Sequence, residues 1–235
     1  MAAAYGRGAA DLLQLFGTTV LGYLVGAIPT GILVARVYRN VDLTRVGSQR
    51  TGATNVLRTL GLGAAAIVFA GDALKAVLAG IAAGAFSEGN AWAIALAITA
   101  AVVGHSYSPY IGFRGGRGVT PGLGGLLVIA PWTAAAAVVS GGLLILLTRY
   151  VSLGSIVGAA VGGTALALHV VLGGQPPAYL LYALLGVPFI VFTHRDTSPA
   201  SRGEPSANWA SASRPVRPRS RAARAAGPGW PSPVR

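Results

Sequence analysis

GVTPGLGGLLVIAPWTAAAAVVSGGLLILLT, residues 118–148, holds no charged residue. It is long for one membrane crossing, which takes about 20 residues, and how it is divided decides the fold. Basic residues gather in the cytoplasmic loops of membrane proteins. Arg36, Arg39, Arg45, Arg50 and Arg58 lie on one side, and two crossings later Arg114 and Arg117 stand there again. A single pass through 118–148 would leave Arg149 outside and, after two further spans, the arginine-rich tail as well. Two passes keep Arg149, Arg195 and the tail inside. Pro131-Trp132 supplies a turning point, because proline disfavours helical backbone in the residue before it. The first half, 118–130, would then rise only about 20 Å, short of the hydrocarbon core of about 30 Å. The loop at 112–118 is therefore expected to dip into the membrane, its backbone buried in protein or lining a wet cavity.

The rest of the chain fits this frame. Residues 12–35, 61–86, 91–110, 153–172 and 177–193 read as further spans, with Gly173 to Pro177 as an outer turn. The expected fold is an all-α integral membrane protein of about seven transmembrane helices, some short or partial. Its amino terminus is outside and its carboxyl terminus is cytoplasmic. Of the 235 residues, 53% are hydrophobic and 10% charged, and the mean hydropathy is +0.62, too apolar for an ordinary soluble domain. Residues 1–195 form the expected membrane domain. Residues 196–235, rich in Ser, Pro, Ala and Arg, form a basic tail expected to be disordered and to lie on an anionic inner leaflet. The net charge of +12 sits in the loops and this tail, where it reports topology and anionic lipid partners. No nucleic-acid partner is expected. There is no cysteine, so thiol catalysis and cysteine metal sites are excluded. The few scattered histidines and acids suggest no metal cage.

Two polar loops interrupt the apolar runs. One is Gly47-Ser48-Gln49-Arg50-Thr51-Gly52-Ala53-Thr54-Asn55-Val56-Leu57-Arg58. The other is the stretch from Gly104-His105 to Phe113-Arg114-Gly115-Gly116-Arg117-Gly118. Glycine lets backbone N–H groups approach a phosphate, and arginine adds charge and a forked set of donors. Two such loops imply a phosphorylated substrate that meets the bilayer. Thr54 and Asn55 can cap a helix starting near Val56 or offer a hydroxyl and an amide to a phosphate there, and both can hold at once. His105 and His169 read as structural. His194, beside Arg195 at the end of the last span, is the better functional candidate. Ser152 and Ser155 open a span and either cap it or face a cavity. Asp72 and Lys75, three apart on one helix face, are intramembrane ions, either functional or an internal pair.

Together these residues resemble the acyl-phosphate-dependent glycerol-3-phosphate acyltransferases of bacterial membranes. The family's first motif maps onto Gly47, Ser48, Gly52, Ala53, Thr54, Asn55 and Arg58, with Gln49 and Arg50 replacing a Gly-Asn pair. The second maps onto Gly104, His105, Phe113, Arg114, Gly115, Gly116, Arg117, Gly118 and Val119, with arginine at both lysine positions. Arg149 to Ile156 also matches, with Ser155 at the family's functional serine. The third motif keeps His194 and Arg195 but has Thr197 for asparagine, and its end near Glu204 is shortened.

The resemblance implies acyl transfer from acyl-phosphate to the 1-hydroxyl of glycerol-3-phosphate in the bacterial inner membrane, without metal or organic cofactor. It also implies functional linkage to a phosphate acyltransferase that makes the acyl-phosphate. The implied catalytic residues are Ser155, His194, Arg117 and Asn55. The implied substrate-binding residues are Ser48, Gly52, Thr54, Arg58, His105, Arg114, Gly115, Gly116 and Gly118. A non-catalytic relative, or a carrier that binds lipid phosphates, is the alternative.

Overall fold

The computed structural model describes residues 2–195. The expected tail, 196–235, with Thr197 and Glu204, lies outside the described residues. Those described form an all-helical bundle: α1 (Ala2–Ala27), α2 (Thr30–Arg39), α3 (Ala53–Leu60), α4 (Leu62–Phe86), α5 (Ala91–Ser106), α6 (Val119–Ile129), α7 (Pro131–Thr148), α8 (Val151–Val171) and α9 (Tyr179–His194). A short 3-10 turn, Pro109–Ile111, stands between α5 and α6. Five stretches are long and apolar enough to cross a membrane: Asp11–Arg39, Leu62–Phe86, Ala91–Ile111, Pro131–Thr148 and Val151–Val171. Val119–Ile129 and Tyr179–His194 are shorter apolar helices. The seven expected segments are thus five full-length candidates and two shorter helices.

The uncharged run divides where the proline stands. Ala130 adopts φ −158°, and Pro131 takes the first position of α7, where its missing N–H costs nothing. With 11 residues, α6 rises about 16 Å. Arg117 before α6 donates from Nη1 to Ser152 Oγ of α8 at 2.9 Å. The chain therefore goes out along α6 and returns along α7 to the same end of the bundle.

Two local readings need correction. The first span is not one straight helix, because Pro29 has no N–H to continue the ladder and separates α1 from α2. The helix of the first polar loop starts at Ala53 rather than near Val56. Its N-cap is Gly52, with no side-chain cap hydrogen bond, so Thr54 and Asn55 sit inside its first turn instead of capping it.

Small residues set the packing. In α1, Gly22 and Gly26 lie against the backbone of Ala97 and Ala101 in α5, and Gly104 of α5 lies against Tyr23 and Ala27 of α1. A Cβ at any of the three would collide with backbone. These are matched four-residue repeats of small side chains, which bring membrane helices close where lipid gives no hydrophobic drive to associate. Gly154 and Gly158 of α8 meet Gly141 and Ala137 of α7 in the same way. Large apolar residues instead face outward, among them Leu78, Ile81, Leu143 and Leu147, as a lipid-exposed surface requires. Helix α4 packs on α1, α5 and α6, while α8 packs on α7 and α9. The polar loops close one end of the bundle.

Candidate active site

Asn55 organises the first loop. It is buried at 1% exposure. Its Oδ1 accepts from the Ser48 N–H at 3.1 Å. Its Nδ2 donates to the carbonyls of Arg50 at 2.8 Å and Val46 at 3.1 Å, with Leu43 farther away at 3.4 Å. One side chain thereby satisfies the backbone of a loop that forms no ladder of its own. Gly47 has φ 58°, and a Cβ there would strike the Asn55 amide. Asn55 thus shapes the loop, while Ser48, Thr54 and Arg58 line the space it encloses.

The second loop folds back on the end of α5. The Gly116 N–H donates to the His105 carbonyl at 3.2 Å, and the Phe113 N–H to the Ser108 carbonyl at 2.7 Å. Gly115 is buried against the His105 and Ser106 carbonyls, and Gly116 against the His105 ring. Gly118 takes φ 81° as the N-cap of α6, a conformation suited to glycine. The loop is therefore buried in protein at Gly115, Gly116 and Gly118, while Gly112, Phe113 and Arg114 stay exposed. The Thr193 hydroxyl of α9 donates to the Arg117 carbonyl at 2.9 Å, which fastens this loop to the last helix.

Helices α8 and α9 complete the wall. Ser152 and Ser155 stand at the start of α8 and His194 at the end of α9. The Nδ1 of His194 lies 2.7 Å from the Ile190 carbonyl. A carbonyl only accepts, so Nδ1 carries the proton and Nε2 is the ring's acceptor.

All three walls face one cavity of about 890 Å3. Its polar end holds Ser48, Arg58, Arg117, Ser155 and His194. Its apolar side includes Leu126, Val138, Ile145, Val187 and Ile190. On α7 the lining residues Val138, Gly142 and Ile145 follow helical spacing. On α9, Ala183, Gly186, Ile190 and His194 do the same, so the apolar wall runs straight from the polar end into the bundle. Gly52, Thr54, Asn55, His105, Gly116 and Gly118 also border the cavity. Arg114 is exposed and does not line it, and Gly115 serves packing. Six polar lining residues fall outside the expected set: Arg50, Asp72, Thr120, Tyr150, Ser152 and Tyr182. Ser152 was legible as a hydroxyl opening a span, and Arg50 as a cation within a glycine loop. The inward turn of Asp72 had no signal beyond its place three residues before Lys75.

A family model described as glycerol-3-phosphate acyltransferase matches residues 16–200. A protein called glycerol-3-phosphate acyltransferase from Rubrobacter xylanophilus is 39% identical over 181 residues, covering 77% of this chain and 88% of its own. One of the same name from Thermus thermophilus is 43% identical over 179 residues, covering 76% and 87%. Among solved structures, PlsY (YgiH), an integral membrane glycerol 3-phosphate acyltransferase, aligns in its glycerol 3-phosphate form with a TM-score of 0.70. The identity is 33%, over 77% of this chain and 88% of that one. Its lysophosphatidic acid form aligns with a TM-score of 0.69 at 32% identity and the same coverage.

Asn55→Asp puts a carboxylate oxygen where an amide now faces the Arg50 and Val46 carbonyls. The expected loss is about 2–3 kcal/mol of stability, from broken hydrogen bonds and carbonyls left unsatisfied. Thermal or denaturant unfolding of the purified protein in detergent measures it. An unchanged midpoint would remove Asn55 from the role of loop organiser.

Proposed function

The chain belongs to the glycerol-3-phosphate acyltransferase family, and on that premise we propose that it moves a fatty acyl group from acyl-phosphate to the 1-hydroxyl of glycerol-3-phosphate. The products are lysophosphatidic acid and phosphate. Family membership carries the acylation of glycerol-3-phosphate in a multi-pass membrane protein, a step of phospholipid synthesis. The acyl-phosphate donor is the finer part of the reading. The observation that supports it is the single cavity: both glycine-arginine loops open onto one polar end, and one apolar wall leads away from it. That arrangement suits two phosphate groups and one acyl chain, and the donor's phosphate needs no carrier protein to present it.

The chemistry asks little of the protein. The 1-hydroxyl oxygen attacks the acyl carbonyl carbon, the bond from that carbon to the phosphate oxygen breaks, and phosphate leaves. Phosphate is already a good leaving group, so no covalent enzyme intermediate is required. Positioning and charge stabilisation supply the rate. Arg58 and Arg117 clamp phosphate, and Ser48 and Thr54 add donors. Ser155 and His194 orient the attacking hydroxyl or the donor phosphate. The Nε2 of His194, an acceptor, is suited to the hydroxyl. The hydroxyl proton passes to that nitrogen or to a substrate phosphate oxygen. The enzyme that makes acyl-phosphate is the functional partner this donor implies.

Formation of lysophosphatidic acid by the purified protein tests the reading. Turnover is expected with acyl-phosphate and glycerol-3-phosphate, and none with acyl-CoA. Equal rates with acyl-CoA would point to another acyltransferase type, and binding of glycerol-3-phosphate without turnover to a non-catalytic carrier.

Arg117→Ala is expected to cost about 3 kcal/mol, roughly a hundredfold in rate, as loss of a preorganised donor does. Arg117→Lys should be far milder, since it keeps the charge and loses only the fork. Near-full activity in a folded, inserted Arg117→Ala protein would remove this loop from the phosphate site.

We also place the polar end on the cytoplasmic face of the bacterial inner membrane and the amino terminus outside. Arg36, Arg39, Arg58, Arg149 and Arg195 all belong to segments at or flanking that end, as positive-inside bias requires. In this cysteine-free chain, Arg149→Cys should react with an impermeant thiol reagent only after cells are opened. Labelling in intact cells would reverse the orientation.

A further inference from the structure

Beneath the second loop lies a buried charged cluster that the reaction as drawn does not use. Asp72 and Lys75 of α4 and His105 of α5 are 1%, 5% and 6% exposed. The Lys75 Nζ lies 2.9 Å from Asp72 Oδ1, 2.8 Å from His105 Nδ1 and 3.2 Å from the Ile28 carbonyl. That carbonyl belongs to the break that Pro29 makes between α1 and α2. An ammonium has three protons and no acceptor, and here three acceptors surround it. Asp72 balances its charge, so the proton stays on Nζ. The Nδ1 of His105 faces both the ammonium at 2.8 Å and Asp72 Oδ1 at 3.4 Å; the shorter contact is to the ammonium, which can only donate, so Nδ1 is the acceptor. The remaining imidazole proton is left on Nε2. That nitrogen lies against Gly116, next to Arg117, where a Cβ would strike the ring. His105, Gly116 and Arg117 all border the polar end of the cavity.

We propose that Asp72 and Lys75 are positioning residues. They fix His105 as the tautomer with its proton on Nε2, and so add one oriented donor to the anion site beneath the arginine loop. The idea rests on the reading of that site as a phosphate site, but the tautomer can be measured without turnover. The ordering runs inward from the loop. Asp72 holds Lys75, Lys75 sets which imidazole nitrogen carries the proton, and the backbone of Gly116 fits only because no side chain stands between it and the ring. Neutral His105 with a defined donor also avoids a second buried cation beside Lys75, which the single carboxylate could not balance.

The test uses full-length protein in lipid vesicles, labelled with nitrogen-15 histidine. His105 signals, identified by their absence in His105→Gln, should show a bare Nδ1 and a protonated Nε2. The double variant Asp72→Asn/Lys75→Met removes both charges together, so it leaves no unpaired buried ion and keeps the fold. It should lose the fixed tautomer and raise KM for glycerol-3-phosphate by about tenfold, the worth of one hydrogen bond to a charged group, with kcat little changed. His105→Gln, which can place an amide N–H where Nε2 was, should keep a KM near that of the unaltered protein. His105→Asn, whose amide reaches only the Nδ1 position, should behave like the double variant. A proton on Nδ1 in the unaltered protein overturns the proposal. So does a double variant with a changed tautomer and an unchanged KM. If the unaltered protein makes no lysophosphatidic acid, the proposed function falls, and the histidine spectra alone decide this inference.

Discussion

Backbone that leaves the helix within a bilayer has no water to bond, so its N–H and C=O groups must find partners inside the protein. This chain meets that demand with few side chains, each serving several groups. Asn55 gathers the first loop, bonding the Ser48 N–H and the Arg50 and Val46 carbonyls. Lys75 takes the carbonyl exposed by the Pro29 break while pairing with Asp72. Thr193 ties the second loop to α9, and Ser108 reaches the Ala27 carbonyl at 2.6 Å. The loops stand in place because these bonds are made, and the cavity is the space left between them.

The same economy governs charge. Among the described residues that border the cavity, Asp72 is the one carboxylate, and Lys75 neutralises it at 2.9 Å. Arg50, Arg58 and Arg117 bring positive charge to the same cavity. In poorly solvated surroundings that charge is felt more strongly than in water. Arginine in place of lysine at 114 and 117 keeps the sign of this field and adds a planar fork, which at Arg117 also reaches Ser152.

Much of this was legible in the sequence. The arginine distribution required the 118–148 run to double back, Pro131 marked where, and the short first half required a buried loop at 112–118. All three are seen, the last only at Gly115, Gly116 and Gly118. The Pro29 break was not drawn from the sequence, because the hydrophobic run continues through it and periodicity does not register one missing N–H. The role of Asn55 was also hidden. An asparagine near a helix start suggests a cap or a ligand donor, and only the fold shows its amide turned back into its own loop. The contact between Lys75 and His105 joins residues 30 apart, which no local pattern encodes. Arg114 shows the reverse: motif position suggested a ligand, yet its side chain is exposed and outside the cavity lining.

The glycine and alanine seams between α1 and α5 and between α7 and α8 have a thermodynamic consequence. Side chains of these two types have no rotamer freedom to lose on burial, whereas an immobilised arginine gives up about 1.5–2 kcal/mol. The scaffold is thus ordered at little side-chain entropic cost, and the freedom still available is concentrated in long polar groups at the mouth, such as the exposed Arg58. A molecule entering the cavity is opposed by the freezing of a few such side chains, and its affinity is not spent on ordering a loop.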